Sequence, residues 1–123
     1  MRWRIVYGHH PISSSGFHAT ERRIGQLLRE LLPVLKAAKV EVYVCGHDHD
    51  MEHLRLGGVD LMVSGTGGAK LRQANHHPKP ESLFAASEHG FLDLQIDSRE
   101  LTAQFYNTAL KPLENPPLTR THP

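Results

Sequence analysis

Ten histidines in 123 residues are the side chains of this protein best suited to chemistry, because imidazole titrates near neutral pH and is the commonest metal ligand. The densest group is His47-Asp48-His49-Asp50, directly after a run of β-forming residues. In extended backbone, residues i and i+2 point to the same side. His47 and His49 are thereby placed to face one metal, or each to face one of two adjacent metals; a polar loop with two solvated histidines is the plainer alternative. Asp48 or Asp50 would then orient a ligating imidazole through a hydrogen bond. His9-His10-Pro11 is a second group, in which Pro11 stiffens the loop and biases His10 towards extended backbone. His18 follows just before a helical segment, where a neutral histidine can approach a bound ligand from one side. His53, His76, His77, His89 and His122 carry weaker signals. On a strand His53 would share a face with His49, and His76-His77 reads as solvated loop.

Several elements must position these groups. Trp3 to Tyr7 predicts a short buried strand, and Gly8 to Gly16, with a proline and three consecutive serines, predicts a loop. Ile24, Leu27, Leu28, Leu31, Leu32 and Leu35 recur at helical spacing, so a helix is expected from about Glu21 to Ala38. Thr20 is its expected N-cap, and Pro33 breaks it or starts a second short helix. Val40 to Cys45 is a strong strand pattern. Met51 to Leu56 and Val59 to Ser64 read as strands joined by a Gly57-Gly58 turn. Lys70 to Ser87 lacks periodicity and reads as a long loop. Phe91 to Ile96 and Leu101 to Tyr106 alternate as strands, turning at Asp97-Ser98. The tail from Lys111 to Pro123 reads as extended and poorly packed. The ligand-type residues thus follow directly after two strands, where catalytic loops of open sheets commonly lie.

Composition excludes several function classes. Fourteen Lys and Arg against thirteen Asp and Glu leave a net charge of +1, without the basic footprint of a nucleic-acid binder. No apolar run approaches the roughly 20 residues of a membrane span. A single cysteine, Cys45, excludes an internal disulfide and a CxxC zinc site. The segment GTGGAKL is not a P-loop, there is no HExxH, and no serine sits in a G-x-S-x-G.

Taken together, VYGHHPISSSGFH at 6–18, VYVCGHDHDMEHL at 42–54, VSGTGGA at 63–69 and HGFLDLQI at 89–96 resemble the calcineurin-like metallophosphoesterases. The purple or tartrate-resistant acid phosphatase branch is the nearer likeness, and only its C-terminal half is matched, from about Arg2 to Tyr106. The pair G-H-x-P followed by G-H-x-H carries the resemblance. It implies an α/β fold: half of a metallophosphoesterase-type β-sandwich, with a mixed sheet and a flanking helix, incomplete without an N-terminal half. Residues 1–108 would be that half-domain and 109–123 an extended Pro-rich tail.

The resemblance also implies roles. His9 and His47 would bind one metal of a binuclear pair, His49 the other, and His18 would protonate the leaving group. The metals would be Fe, Zn or Mn. His10 occupies the variable position and receives no role. The substrate would be a phosphate ester. The family's N-terminal GD and GNH motifs are absent, so a truncated or complementing part with little activity alone is expected. Its partner would be the missing N-terminal half or a self-associating sheet edge. Many members of that branch are exported, and a signal would lie upstream of Met1; the localisation itself stays open. Two other readings stand beside this one: a stand-alone mononuclear module using His9, His47 and His49, and a non-catalytic partner protein.

Overall fold

Residues 2–123 are described by a computed structural model. β-Branched and apolar runs build a five-stranded mixed sheet in the order β1-β2-β4-β3-β5: β1 (Ile5–Tyr7), β2 (Val42–Cys45), β3 (Met51–Leu56), β4 (Val59–Ser64) and β5 (Ser82–Ala86). The pairs β1–β2 and β2–β4 are parallel, and β3 runs antiparallel to β4 and β5. β2 and β4 are largely buried along their length, as expected of strands covered on both faces. Their alternation divides the core in two. Tyr43, Cys45, Leu61 and Val63 pack on one face with Ile12 and Leu35, while Val42 and Met62 pack on the other with Leu101, Ala103 and Phe105.

The first face is covered by α1 (Arg22–Glu30) and α2 (Leu32–Ala37). The break falls at Leu31, with Pro33 in the first turn of α2, where a missing amide costs no hydrogen bond. The N-cap of α1 is Glu21 rather than Thr20, and its side chain does not cap the helix. The second face is covered by an antiparallel three-stranded sheet, β6 (Gly90–Ile96), β7 (Glu100–Asn107) and β8 (Leu118–Thr121). The fold is α/β, with a mixed sheet and few helices.

Two turns follow from local chemistry. Gly57 and Gly58 both have positive φ, +56° and +83°, as the tight β3–β4 hairpin requires. Asp97 accepts the amides of Arg99 and Glu100 at 2.7 and 2.8 Å and turns β6 into β7.

Two further expectations are corrected. The loop expected over Lys70 to Ser87 contains β5, which has little β propensity of its own. It forms because the β3 edge accepts it and because Phe84 stacks on Phe105 at 5.6 Å between ring centroids. The tail is extended but not poorly packed. Leu118 is buried in the second core, and β8 pairs with β7.

Candidate metal and catalytic site

Parallel pairing explains why the two histidine motifs meet. Tyr7 is in register with Val44, and the ladder runs on through Gly8 N–H to Val44 C=O and Gly46 N–H to His9 C=O, each 3.0 Å. The loops after β1 and β2 therefore leave the sheet side by side. His9 Nε2 and His47 Nδ1 lie 3.2 Å apart. The loop after β4 joins them at close range. Gly65 N–H donates to Asp50 C=O at 3.0 Å, and a Cβ on Gly65 would stand 1.7 Å from the Asp48 carbonyl oxygen. Only glycine allows that approach.

His47 sits in the left-handed region at φ +68°, and Asp48 N–H donates back to Gly46 C=O at 2.8 Å. This is a γ-turn centred on His47, a rare and strained form. Left-handed backbone costs a non-glycine residue about 1–2 kcal/mol, and such strain gathers at functional sites. The turn removes the extended backbone that would have set His47 and His49 on one side. His47 turns to His9 and Glu21, whereas His49 Nδ1 lies 2.8 Å from the Lys70 carbonyl oxygen.

Beneath the histidines lies a buried polar layer. Ser13, Ser14, Ser15, Asp48, Asp50 and Glu52 are all fully buried. Asp48 accepts the Ser14 hydroxyl and, at 2.7 Å, the backbone amide of His18. Glu52 accepts the Ser15 amide at 2.8 Å, the Ser15 hydroxyl, and the Ser82 hydroxyl at 2.6 Å. The serine loop and His18 are thus pinned by carboxylates from the next loop and strand. This differs from the expectation that Asp48 or Asp50 orients a ligating imidazole. Asp48 holds the main chain of His18. Both carboxyl oxygens of Asp50 lack a hydrogen-bond partner, and burial, reinforced by the charges of Asp48 and Glu52, pushes its carboxyl up to about 7.

His9, His18, His47 and His49 line one open cavity of about 490 Å³, with Gly46 and the glycines of the 65–68 loop. The donor atoms of His9, His10 and His47 lie within 4.8 Å of one another, as do those of His18, Glu21 and His47; His49 joins neither group. Burial, then the neighbouring rings of His47 and His9, hold the His10 imidazole below its usual value, which favours the neutral, metal-competent form. Glu21 had no sequence signal beyond standing three residues after His18. Its carboxylate is held below the usual range, chiefly by its hydrogen bond to His47 and also by His18.

No family model matches the chain. Curated relatives do. Purple acid phosphatase 3 of Arabidopsis thaliana is 36% identical over 86% of this chain and 29% of its own length. Purple acid phosphatase 4 of the same plant is 33% identical over 88% of this chain and 32% of its own. Tartrate-resistant acid phosphatase type 5 of Rattus norvegicus is 30% identical over 94% of this chain and 37% of its own. This chain is similar to the C-terminal part of the purple acid phosphatases.

The chain spans about a third of the length of the relatives it matches. Two solved structures share the fold. Purple acid phosphatase PPD1 from yellow lupin aligns at a TM-score of 0.81 and 21% identity, covering 97% of this chain and 25% of that one. GAP50 of Plasmodium, described as the anchor in the inner membrane complex, aligns at 0.81 and 27%, covering 97% and 36%. Likeness to purple acid phosphatases implies a binuclear metal centre. The donor set here fits part of one: imidazoles suit Fe, Zn and Mn, and those of His9, His18, His47 and His49 line one cavity, whereas the buried carboxylates of Asp48 and Glu52 are bonded to the serine loop. Among the described residues no helix is long and apolar enough to cross a membrane.

Proposed function

We propose that this chain forms the histidine side of a metal-dependent phosphate-ester hydrolase. The observation that carries the reading is the lining of one cavity, at the C-terminal ends of β1, β2 and β4, by His9, His18, His47 and His49, with sequence likeness to acid phosphatases over most of the chain. His9 and His47 hold one ion of a pair, and His49 contributes to the other. Bound metal ions supply an activated water and draw charge from the phosphoryl oxygens. His18 gives a proton to the leaving oxygen. The further ligands of a binuclear centre come from outside this chain, so residues 1–123 bind metal more readily than they turn over substrate.

The test is metal uptake and hydrolysis of p-nitrophenyl phosphate by the chain, beside His47→Ala and His18→Ala. The expected result is metal retained by the wild type and by His18→Ala but lost in His47→Ala, with turnover far below that of an ordinary enzyme. Absence of stoichiometric metal binding by the wild type would sink the reading.

Two other readings have an observation behind them. The close grouping of His9, His10 and His47 favours a mononuclear module, which predicts one ion per chain and dependence on His10. The likeness to a protein described as an anchor favours a non-catalytic partner, which predicts stability indifferent to metal.

A further inference from the structure

The Glu21 carboxylate touches two histidines at once. One oxygen, Oε1, is against His18 Nδ1, and the other, Oε2, lies 2.9 Å from His47 Nε2. Glu21 holds the N-cap position of α1 with extended backbone, φ −64° and ψ 140°, yet makes no capping bond. A side-chain acceptor at an N-cap ordinarily satisfies an amide of the first turn, and here it is spent on the histidines. The amide dipoles of α1 still favour a carboxylate at this place. His18 is therefore fixed at two points: its main chain donates to buried Asp48 at 2.7 Å, and its ring is held by Glu21.

We propose that Glu21 is the positioning residue of His18, accepting its Nδ1 proton and so leaving Nε2 as the nitrogen that exchanges a proton with substrate. This rests on reading His18 as the proton donor. As water adds to phosphorus and the P–O bond breaks, the leaving oxygen keeps the bonding pair and takes the Nε2 proton of the imidazolium. The ring ends neutral, with Nδ1–H still on Glu21. A shared ion is the competing occupant of His18, Glu21 and His47. Zn²⁺ binding by the Glu21 and His18 variants separates that ion from the hydrogen bond. Glu21 reaches His18 and His47 through different oxygens, so a cation on His47 leaves the His18 contact intact.

The test is the tautomer of His18, read by nitrogen NMR of the histidine-labelled chain at about pH 8, above the ordinary imidazole range near 6.5, without metal or substrate. His18→Gln assigns the signal. In the wild type the Nδ1–H tautomer should predominate. Glu21→Ala should shift His18 to the Nε2–H form that free imidazole favours. Glu21→Gln, whose side-chain oxygen also accepts, should keep Nδ1–H. An unchanged tautomer in Glu21→Ala, with far-UV circular dichroism showing a folded chain, overturns the proposal. So does loss of Zn²⁺ binding in both Glu21→Ala and His18→Gln, which would make the pair ligands. Since no turnover is read, a chain that pairs His18 with Glu21 but never hydrolyses an ester would refute the function and keep the pairing.

Discussion

The backbone amide of His18 donates to a carboxylate oxygen of Asp48 at 2.7 Å. Two residues thirty apart in sequence thus tie the histidine beside the helix to the loop between His47 and His49. Removing the carboxylate strands that amide and the buried Ser14 hydroxyl. Buried groups left unpaired cost about 1–3 kcal/mol each. Asp48→Ala is therefore expected to lower stability by roughly 2–4 kcal/mol, with Asp48→Asn, which keeps one acceptor, losing less. Urea denaturation measures both, and an Asp48→Ala chain as stable as the wild type would show that the loop is held by something else.

His53 has a carboxylate on each ring nitrogen: Asp60 Oδ1 at 2.7 Å from Nε2 and Glu114 Oε1 at 2.6 Å from Nδ1. Burial alone would lower its pKa, but the hydrogen bonds to Asp60 and Glu114 outweigh it, and the imidazolium is favoured. A folded-state pKa raised above the unfolded value of about 6.5 stabilises below that pH, and the benefit fades as pH rises through the folded value. The chain should therefore lose stability above about pH 6.5. His53→Gln should be less stable than the wild type at acid pH and flatter across the alkaline window. Denaturation midpoints at a series of pH values decide it; parallel curves for the two proteins would contradict the assignment.

Asp50 works in the same direction by a different route. Its carboxyl, unpartnered and pushed up to about 7, stays protonated in the folded chain at pH values where the unfolded chain has released the proton. Stability then falls as pH climbs from about 4 to about 7. Asp50→Asn has no proton to lose and should have the higher melting temperature at about pH 8, with no such slope. A lower melting temperature there would mean that the carboxylate has a partner.

Gly65 carries a steric prediction. With the Asp48 carbonyl 1.7 Å from the place of a Cβ, Gly65→Ala must push two loops apart. The expected cost is about 3 kcal/mol or more. It should also weaken Zn²⁺ binding at His47, because the displaced loop carries that residue. Gly67→Ala, with open space around it, should do neither. Calorimetric titration of the two variants makes the comparison.

Most of the five-stranded sheet was legible because its signals are local. Val40 to Cys45 and Val59 to Ser64 are dense in β-branched residues, Gly57-Gly58 specifies its hairpin, and Pro33 marks the division between α1 and α2. β5 and β8 were not legible, since their strand character is imposed by the β3 edge, by Phe105 and by β7. The same divide runs through the site. The resemblance put His9, His47 and His49 in one locality, and the parallel register of β1 and β2 explains why the loops that carry His9 and His47 meet. Glu21 carried no motif, and its role arises from the way α1 starts against the His47 loop. The left-handed turn at His47 was equally hidden, because nothing in the residue type announces a positive φ.

Asp60 also accepts Arg55 and Arg120, so one buried carboxylate on β4 gathers β3, β8 and, through His53, the segment that carries Glu114. Peeling β8 from the molecule would take the Arg120 guanidinium from Asp60 and leave that buried carboxylate to Arg55 and His53 on β3. The C-terminal strand is therefore not a frayed end. The two sheets should open as one cooperative unit, and the slowest-exchanging amides of β4 and those of β7 should report the same opening free energy.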